Sequence, residues 1–262
     1  MPALVAALRP VGLLLAAAAT LTGLTLIWIA RLSADRYLYV SELGATGEPT
    51  AEVFRWAMTL VAGSAALVAV CAPRLEPRVR WLAVAPPAVV LGGAAVAFGI
   101  ASQVTCTYGC PLPVGPAFTW QDLVHTVCAV IGFAGAAVVM LQVSVDRRFR
   151  GLGRYSAVSA IAVAVIAGAG GLLSLLRFGT QFGGILELVA TTIALLWLAV
   201  LAVVLAISEL RARRDGSEPR ESDGGDLRDP DGPDLGDEQS AAAQSQPTNE
   251  ATPACVASTY AE

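Results

Sequence analysis

The chain has 262 residues, 55% of them hydrophobic and only 15% charged, with a mean hydropathy of +0.64. Soluble globular domains carry about 25% charged residues, so an ordinary cytosolic enzyme is excluded. The formal net charge of −4 hides two opposite halves: residues 209–262 hold 13 acidic and 5 basic residues, a net of −8, which leaves residues 1–208 at +4.

A membrane span needs about 20 mainly apolar residues. Six segments meet that length, in chain order 11–30, 53–72, 81–101, 123–145, 155–176 and 184–207. Hydrocarbon offers no water to backbone amides, so each is expected to cross as a helix that satisfies its own backbone. The expected fold is an all-α membrane protein, a six transmembrane helix bundle over residues 1–208. The first segment follows Arg9 and is rich in alanine, but its uninterrupted apolar run exceeds that of a cleaved signal, so it reads as a retained span. Pro86 and Pro87 fall about one turn into the third and are expected to kink it or to set its first turn.

Arginine supplies all 17 basic residues, a compositional bias that fits GC-rich bacterial coding. Eleven arginines gather on one side of the spans: Arg9, Arg74, Arg78, Arg80, Arg147, Arg148, Arg150, Arg154, Arg211, Arg213 and Arg214. Four lie on the other side, namely Arg31, Arg36, Arg55 and Arg177. By the positive-inside rule the protein is expected in the bacterial cytoplasmic membrane with both termini cytoplasmic. Loops 31–52, 102–122 and 177–183 then face outward. The tail at 209–262, dominated by Asp, Gly, Pro, Ser, Glu and Gln, has no apolar period from which to build a core and is expected to be disordered. Membrane lipids are the expected partners; nothing points to nucleic acid.

Few residues can carry chemistry. Cys106 and Cys110 flank Thr107-Tyr108-Gly109 in an outward loop, a spacing that folds into a turn and suits a structural disulfide in an oxidising compartment. The sharper alternative is a redox pair, although the two-residue spacing of thioredoxin-type sites is absent. The single histidine, His125, excludes bis-histidine haem and three-histidine zinc within one chain, so no metal and no cofactor is expected. Asp122, His125 and Cys128 share one helical face. Asp122 reads either as the N-cap of the fourth span or as a pocket group. His125, a turn deeper, is either a packing residue bonded to a neighbouring helix or a functional one. Glu187 sits one turn into the sixth span after the flexible Phe182-Gly183-Gly184; at that depth it needs a proton or a partner, and Arg177 and His125 are the available cations. Ser41 and Glu42 lie in a turn-rich first outer loop that leads through Pro49-Thr50 into the second span. Ser41, Glu42, Asp122, His125 and Glu187 are the candidates for one outward-facing polar pocket, against the reading that they are unrelated loop, cap and packing residues.

Several enzyme templates fail. There is no Gly-x-Ser-x-Gly elbow, no phosphate-binding loop with lysine and no nucleotide fingerprint, and the glycines at 168, 170 and 171 sit inside an apolar segment where small residues let helices approach.

As a set, Ser41-Glu42-Leu43-Gly44 with Gly47-Glu48-Pro49, the run Ser102 to Pro111, Asp122-x-x-His125 and Gly184-x-x-Glu187 resemble the bacterial family called domain of unknown function 998. The resemblance covers about residues 10–208 and implies a six-helix integral membrane protein without an established activity to transfer. After the glutamate this chain has Leu188 where many members carry a basic residue. A more distant similarity joins it to DRAM-type multispanning proteins, which also have a Ser-Glu or Ser-Asp loop and a later helix-borne histidine. The leading expectation is a non-enzymatic membrane protein whose outward-facing polar pocket binds a lipid or small amphiphile, or which serves an interaction role. A proton-coupled transporter using His125 and Glu187 is the alternative, and an intramembrane hydrolase or lipid-modifying enzyme with His125 as general base the third.

Overall fold

The computed structural model describes residues 2–73, 75–111, 115–146, 148–176 and 180–217. Six long helices account for most of them: α1 (Pro2–Ser33), α2 (Ala51–Cys71), α3 (Pro87–Gln103), α4 (Trp120–Ser144), α5 (Arg150–Leu175) and α6 (Thr180–Ser217). Single turns of 3-10 helix at Ser41–Gly44 and Gly115–Ala117 interrupt the loops, and no strand is present among the described residues. Five helices are long and apolar enough to cross a membrane; α3, with 17 residues, is a shorter apolar helix. The chain is a multi-pass helical membrane protein.

Each helix packs on the next, and α6 packs back on α1, so the six close into a ring. Successive helices run in opposite directions. One end of the ring therefore carries the start of α1 and the end of α6, here the terminal end, and the opposite end carries the 3-10 turn and the loop before α4. Large apolar side chains on the outside, such as Leu15, Val96, Ile131, Ile161 and Leu172, are exposed. So much exposed apolar surface is expected only where lipid replaces water.

The interior has two apolar clusters. Toward the terminal end, Leu13, Met140, Val143, Leu201 and Leu205 are fully buried together. Toward the other end, Ile27, Leu38, Leu43 and Phe54 pack with Val61 and Leu195. Buried hydroxyls satisfy themselves locally or across helices: Thr20 Oγ1 donates to the carbonyl of Ala16 at 2.8 Å and bonds Ser64 Oγ at 2.9 Å, and Trp197 Nε1 donates to Ser156 Oγ at 2.9 Å.

Two boundaries differ from those expected. The third span was expected from Trp81, but Pro86 is the N-cap of α3 and Pro87 its first residue, so the prolines set the first turn and produce no kink. Proline at that position lacks only an amide that would be unpaired anyway. The preceding turns at 81–85 are not helical, and their backbone is covered from inside: Gln142 Nε2 donates to the carbonyls of Leu82 and Ala85, both at 2.8 Å. The tail was expected to begin at 209, yet α6 continues to Ser217. Residues 209–217 are thus helical, although hydrophilic, because the turns before them supply an already formed helix to extend. The rest of the tail lies outside the described residues.

Candidate functional site

A cavity of about 90 Å³ lies inside the ring among α2, α3, α4, α6 and the 3-10 turn. Its body is apolar, walled by Met58, Leu91, Phe98, Phe133, Ala194 and Leu198, among others. Four polar residues also line it, Ser41, His125, Glu187 and Thr191, and all belong to the half of the ring away from the termini.

Close approach of backbone builds that polar end. A Cβ on Gly184 would lie 2.7 Å from the carbonyl oxygen of Leu38, and one on Gly183 would lie 2.5 Å from the hydroxyl of Tyr39. The two glycines, expected to be flexible, are instead a seat on which residues 38–41 cross the start of α6. The crossing brings the amide of Val40 to Glu187, donating to Oε2 at 2.9 Å, and the amide and hydroxyl of Ser41 bond the same carboxyl group. Glu187 therefore takes peptide and hydroxyl donors. Arg177 lies outside the described residues.

His125 occupies the second turn of α4 and is buried. Its Nδ1 lies 3.1 Å from the carbonyl of Ala101 and 2.9 Å from that of Val104, both at the free end of α3. Only a donor is stable there, so Nδ1 carries a proton and, in the neutral ring, Nε2 presents a lone pair. The sequence left open whether His125 serves packing or function; it caps a neighbouring helix and lines the cavity at once.

Asp122 and Glu42, the other two candidates, bond away from the cavity. Asp122 accepts from the amide of Thr107 at 2.7 Å and from the hydroxyls of Thr107 and Thr119. It is not the N-cap: Thr119 is, accepting from the amide of Asp122 at 3.0 Å. The threonine three residues upstream was the overlooked signal, since Thr-x-x-acid is the spacing of a reciprocal cap. Asp122 thus fastens the 102–111 loop onto α4. Glu42 accepts from the amide of Tyr39 at 3.2 Å within its own turn. Burial holds its carboxyl above the usual range, against the opposing pull of the Tyr39 amide and Arg36.

The loops around the polar end are tied to one another. Cys106 and Cys110 form a disulfide with Cα atoms 5.2 Å apart, in a turn where Gly109 takes φ +77° and the amide of Cys110 donates to the carbonyl of Thr107 at 2.9 Å. The amide of Thr46 donates to the carbonyl of Cys106 at 2.9 Å, and Arg36 pairs with Glu48 while lying over the ring of Tyr108. The two sulfurs and a ring nitrogen of His125 lie within 4.8 Å of one another. Bonded as a disulfide they offer no thiolate, so this grouping lacks the donors that a soft metal requires.

Thr191 escaped the sequence reading. It lines the cavity one turn deeper than Glu187, and its Oγ1 is buried without a hydrogen-bond partner. The four-residue spacing Glu187 to Thr191 on an apolar helix was the available clue.

The sequence profile of the family described as "Protein of unknown function (DUF998)" matches residues 11–204. The chain belongs to this family. The matched span takes in α1 from its third turn onward and runs into α6, so it contains every residue that lines the cavity. No curated protein and no solved structure matches the chain.

Proposed function

We propose that this protein resides in the bacterial cytoplasmic membrane with both termini in the cytoplasm and holds a lipid or small amphiphile in an outward-facing cavity. The observation that carries the reading is one internal cavity with an almost wholly apolar wall, bordered in its half away from the termini by Ser41, His125, Glu187 and Thr191. Apolar walls with a few convergent polar groups are the usual make-up of a small-molecule site. By the same measure a single water needs roughly 10–15 Å³, so the space exceeds that of an ordinary hydration site. At about 90 Å³ it is smaller than the roughly 150 Å³ apolar cavity that holds benzene, so it takes a short apolar segment of such a molecule and not a whole acyl chain.

Transport is less well supported. A path to the terminal end would have to pass Leu13, Met140, Val143 and Leu205, which fill that half and carry no polar group. For hydrolysis, Ser41 is a nucleophile candidate lining the cavity, but its hydroxyl is already engaged with Glu187.

The test is mass spectrometry of lipids that co-purify with the full chain in mild detergent. A bound amphiphile in the wild type that disappears in Ala129→Trp, which fills the cavity from α4, is the expected result. An unchanged lipid profile in that variant overturns the reading.

A further inference from the structure

We propose that the Cys106–Cys110 disulfide is a reversible thiol–disulfide exchange site, opened by a thiol reductant that attacks Cys110 and expels Cys106. The inference stands apart from the amphiphile reading and does not need it.

The two sulfurs are placed unequally. Cys106 is 1% exposed, whereas Cys110 is only partly buried and shares its turn with the exposed Tyr108. An attacking thiolate therefore reaches Cys110, and Cys106 is the sulfur that leaves. Cys110 also takes φ +41°, a left-handed conformation that residues with a Cβ rarely adopt. Opening the bond frees Cys110 from that conformation, which favours the reduced state. Because the bond joins positions only four apart, the fold gains less from it than from a long cross-link.

The surroundings suit the reduced form as well as the oxidised one. Cys106 Sγ lies 3.6 Å from the carbonyl oxygen of Ser41, within hydrogen-bonding reach of sulfur. A disulfide sulfur has no hydrogen to give, so only the thiol makes that bond. A ring nitrogen of His125 lies within 4.8 Å of both sulfurs, where a protonated ring favours the thiolate that Cys106 becomes as it leaves.

The step balances with a thiol as the co-reactant. Its thiolate bonds Cys110 Sγ, the Cys106–Cys110 bond breaks, and the electron pair stays on Cys106 Sγ, which takes a proton from water. A second thiolate then attacks the reductant's sulfur in the mixed disulfide, and Cys110 departs and is protonated in turn. Two reductant thiols are oxidised to one disulfide and two cysteines are reduced; the reverse sequence closes the bond again.

The test equilibrates the full chain in mild detergent with a series of reduced and oxidised glutathione mixtures, and reads each cysteine by differential alkylation and peptide mass mapping. Structural disulfides resist the glutathione pool. Here the bond is expected to reach half reduction within the series while the melting transition shows a folded protein. A bond that persists until denaturant is added overturns the proposal. Single variants give the direction of attack: Cys110 in Cys106→Ser is expected to form its mixed disulfide with glutathione about tenfold or more faster than Cys106 in Cys110→Ser. Equal rates overturn that direction. His125→Gln keeps an amide donor for the carbonyls of Ala101 and Val104, and is expected to slow exchange about tenfold both ways with the glutathione midpoint in place. An unchanged rate, or a midpoint that moves with the rate, overturns the part given to His125.

Discussion

Glu187 of α6 accepts a hydrogen bond from the backbone amide of Val40 at 2.9 Å, across 147 residues of sequence. This bond joins the last helix to the loop after the first, at the place where the ring closes. Removing the carboxylate leaves a buried peptide donor without a partner, which costs roughly 1–3 kcal/mol. Glu187→Ala is therefore expected to lower the melting temperature of the detergent-solubilised protein by several degrees, and Glu187→Gln, which keeps one carbonyl acceptor, by less. Equal losses in the two variants would show that the acceptor is not what matters.

Gly184→Ala places a methyl group 2.7 Å from the carbonyl oxygen of Leu38, a backbone atom that cannot swing aside. The loop must lift off α6, carrying Val40 and Ser41 from Glu187. The substitution should destabilise the protein and loosen the cavity together. Gly171→Ala, where an added Cβ meets nothing within 4 Å, is the control expected to do neither.

The Cys106–Cys110 disulfide closes a very short loop, so chain entropy alone gives it about 2 kcal/mol. Impermeant thiol reagents applied to intact cells should leave both cysteines unmodified until a reductant is added. Immediate labelling contradicts the bond, and labelling only after lysis contradicts an outward-facing loop. Cys106→Ser with Cys110→Ser is expected to destabilise the 102–111 loop while the helices still assemble.

Glu42 gives a pH dependence with a definite sign. Burial raises its carboxyl above the ordinary 4.5, so the folded protein binds this proton more tightly than the unfolded chain does. Its contribution to stability is present in full below the unfolded value and is lost as pH rises through the folded one. Glu42→Gln, neutral throughout, should therefore gain on the wild type as pH is raised from 4 toward 7. Paired thermal scans across that range check the direction; a gap that shrinks with rising pH contradicts it.

Gln142 is the polar anchor of the shortest helix, with its amide on the carbonyls of Leu82 and Ala85. Gln142→Leu fits the apolar surroundings but strands both carbonyls, and the expected loss is about 1–3 kcal/mol. Proteolysis of the solubilised protein should then attack the 78–86 stretch first.

Helix number and type were legible because a span announces itself by length and apolarity alone. What composition could not locate were the ends. Trp81 to Ala85 are apolar enough to resemble span, yet the two prolines after them start a new helix, and Gln142, far along the chain, takes up two carbonyls of the irregular backbone before it. Of the candidate pocket residues, Ser41, His125 and Glu187 do line a common cavity, whereas Glu42 and Asp122 hold loops. Acidity at the end of a span marks a residue with a partner but not which partner. The donors to Glu187 include the peptide amide of Val40, invisible to any search for side-chain types, and the spacing from Glu187 to Thr191 is a faint signal because a threonine on an apolar helix usually satisfies itself.

Closure of the ring by α6 against α1 also orders events during synthesis. Until the last helix leaves the translocon, the nascent chain is an open arc in which the amide of Val40 lacks its Glu187 acceptor. A premature stop codon after α5 and before Glu187 leaves the protein in that arc. Such a fragment has most of its spans and none of its enclosure, and it offers membrane proteases an unpaired peptide where the complete chain offers a carboxylate.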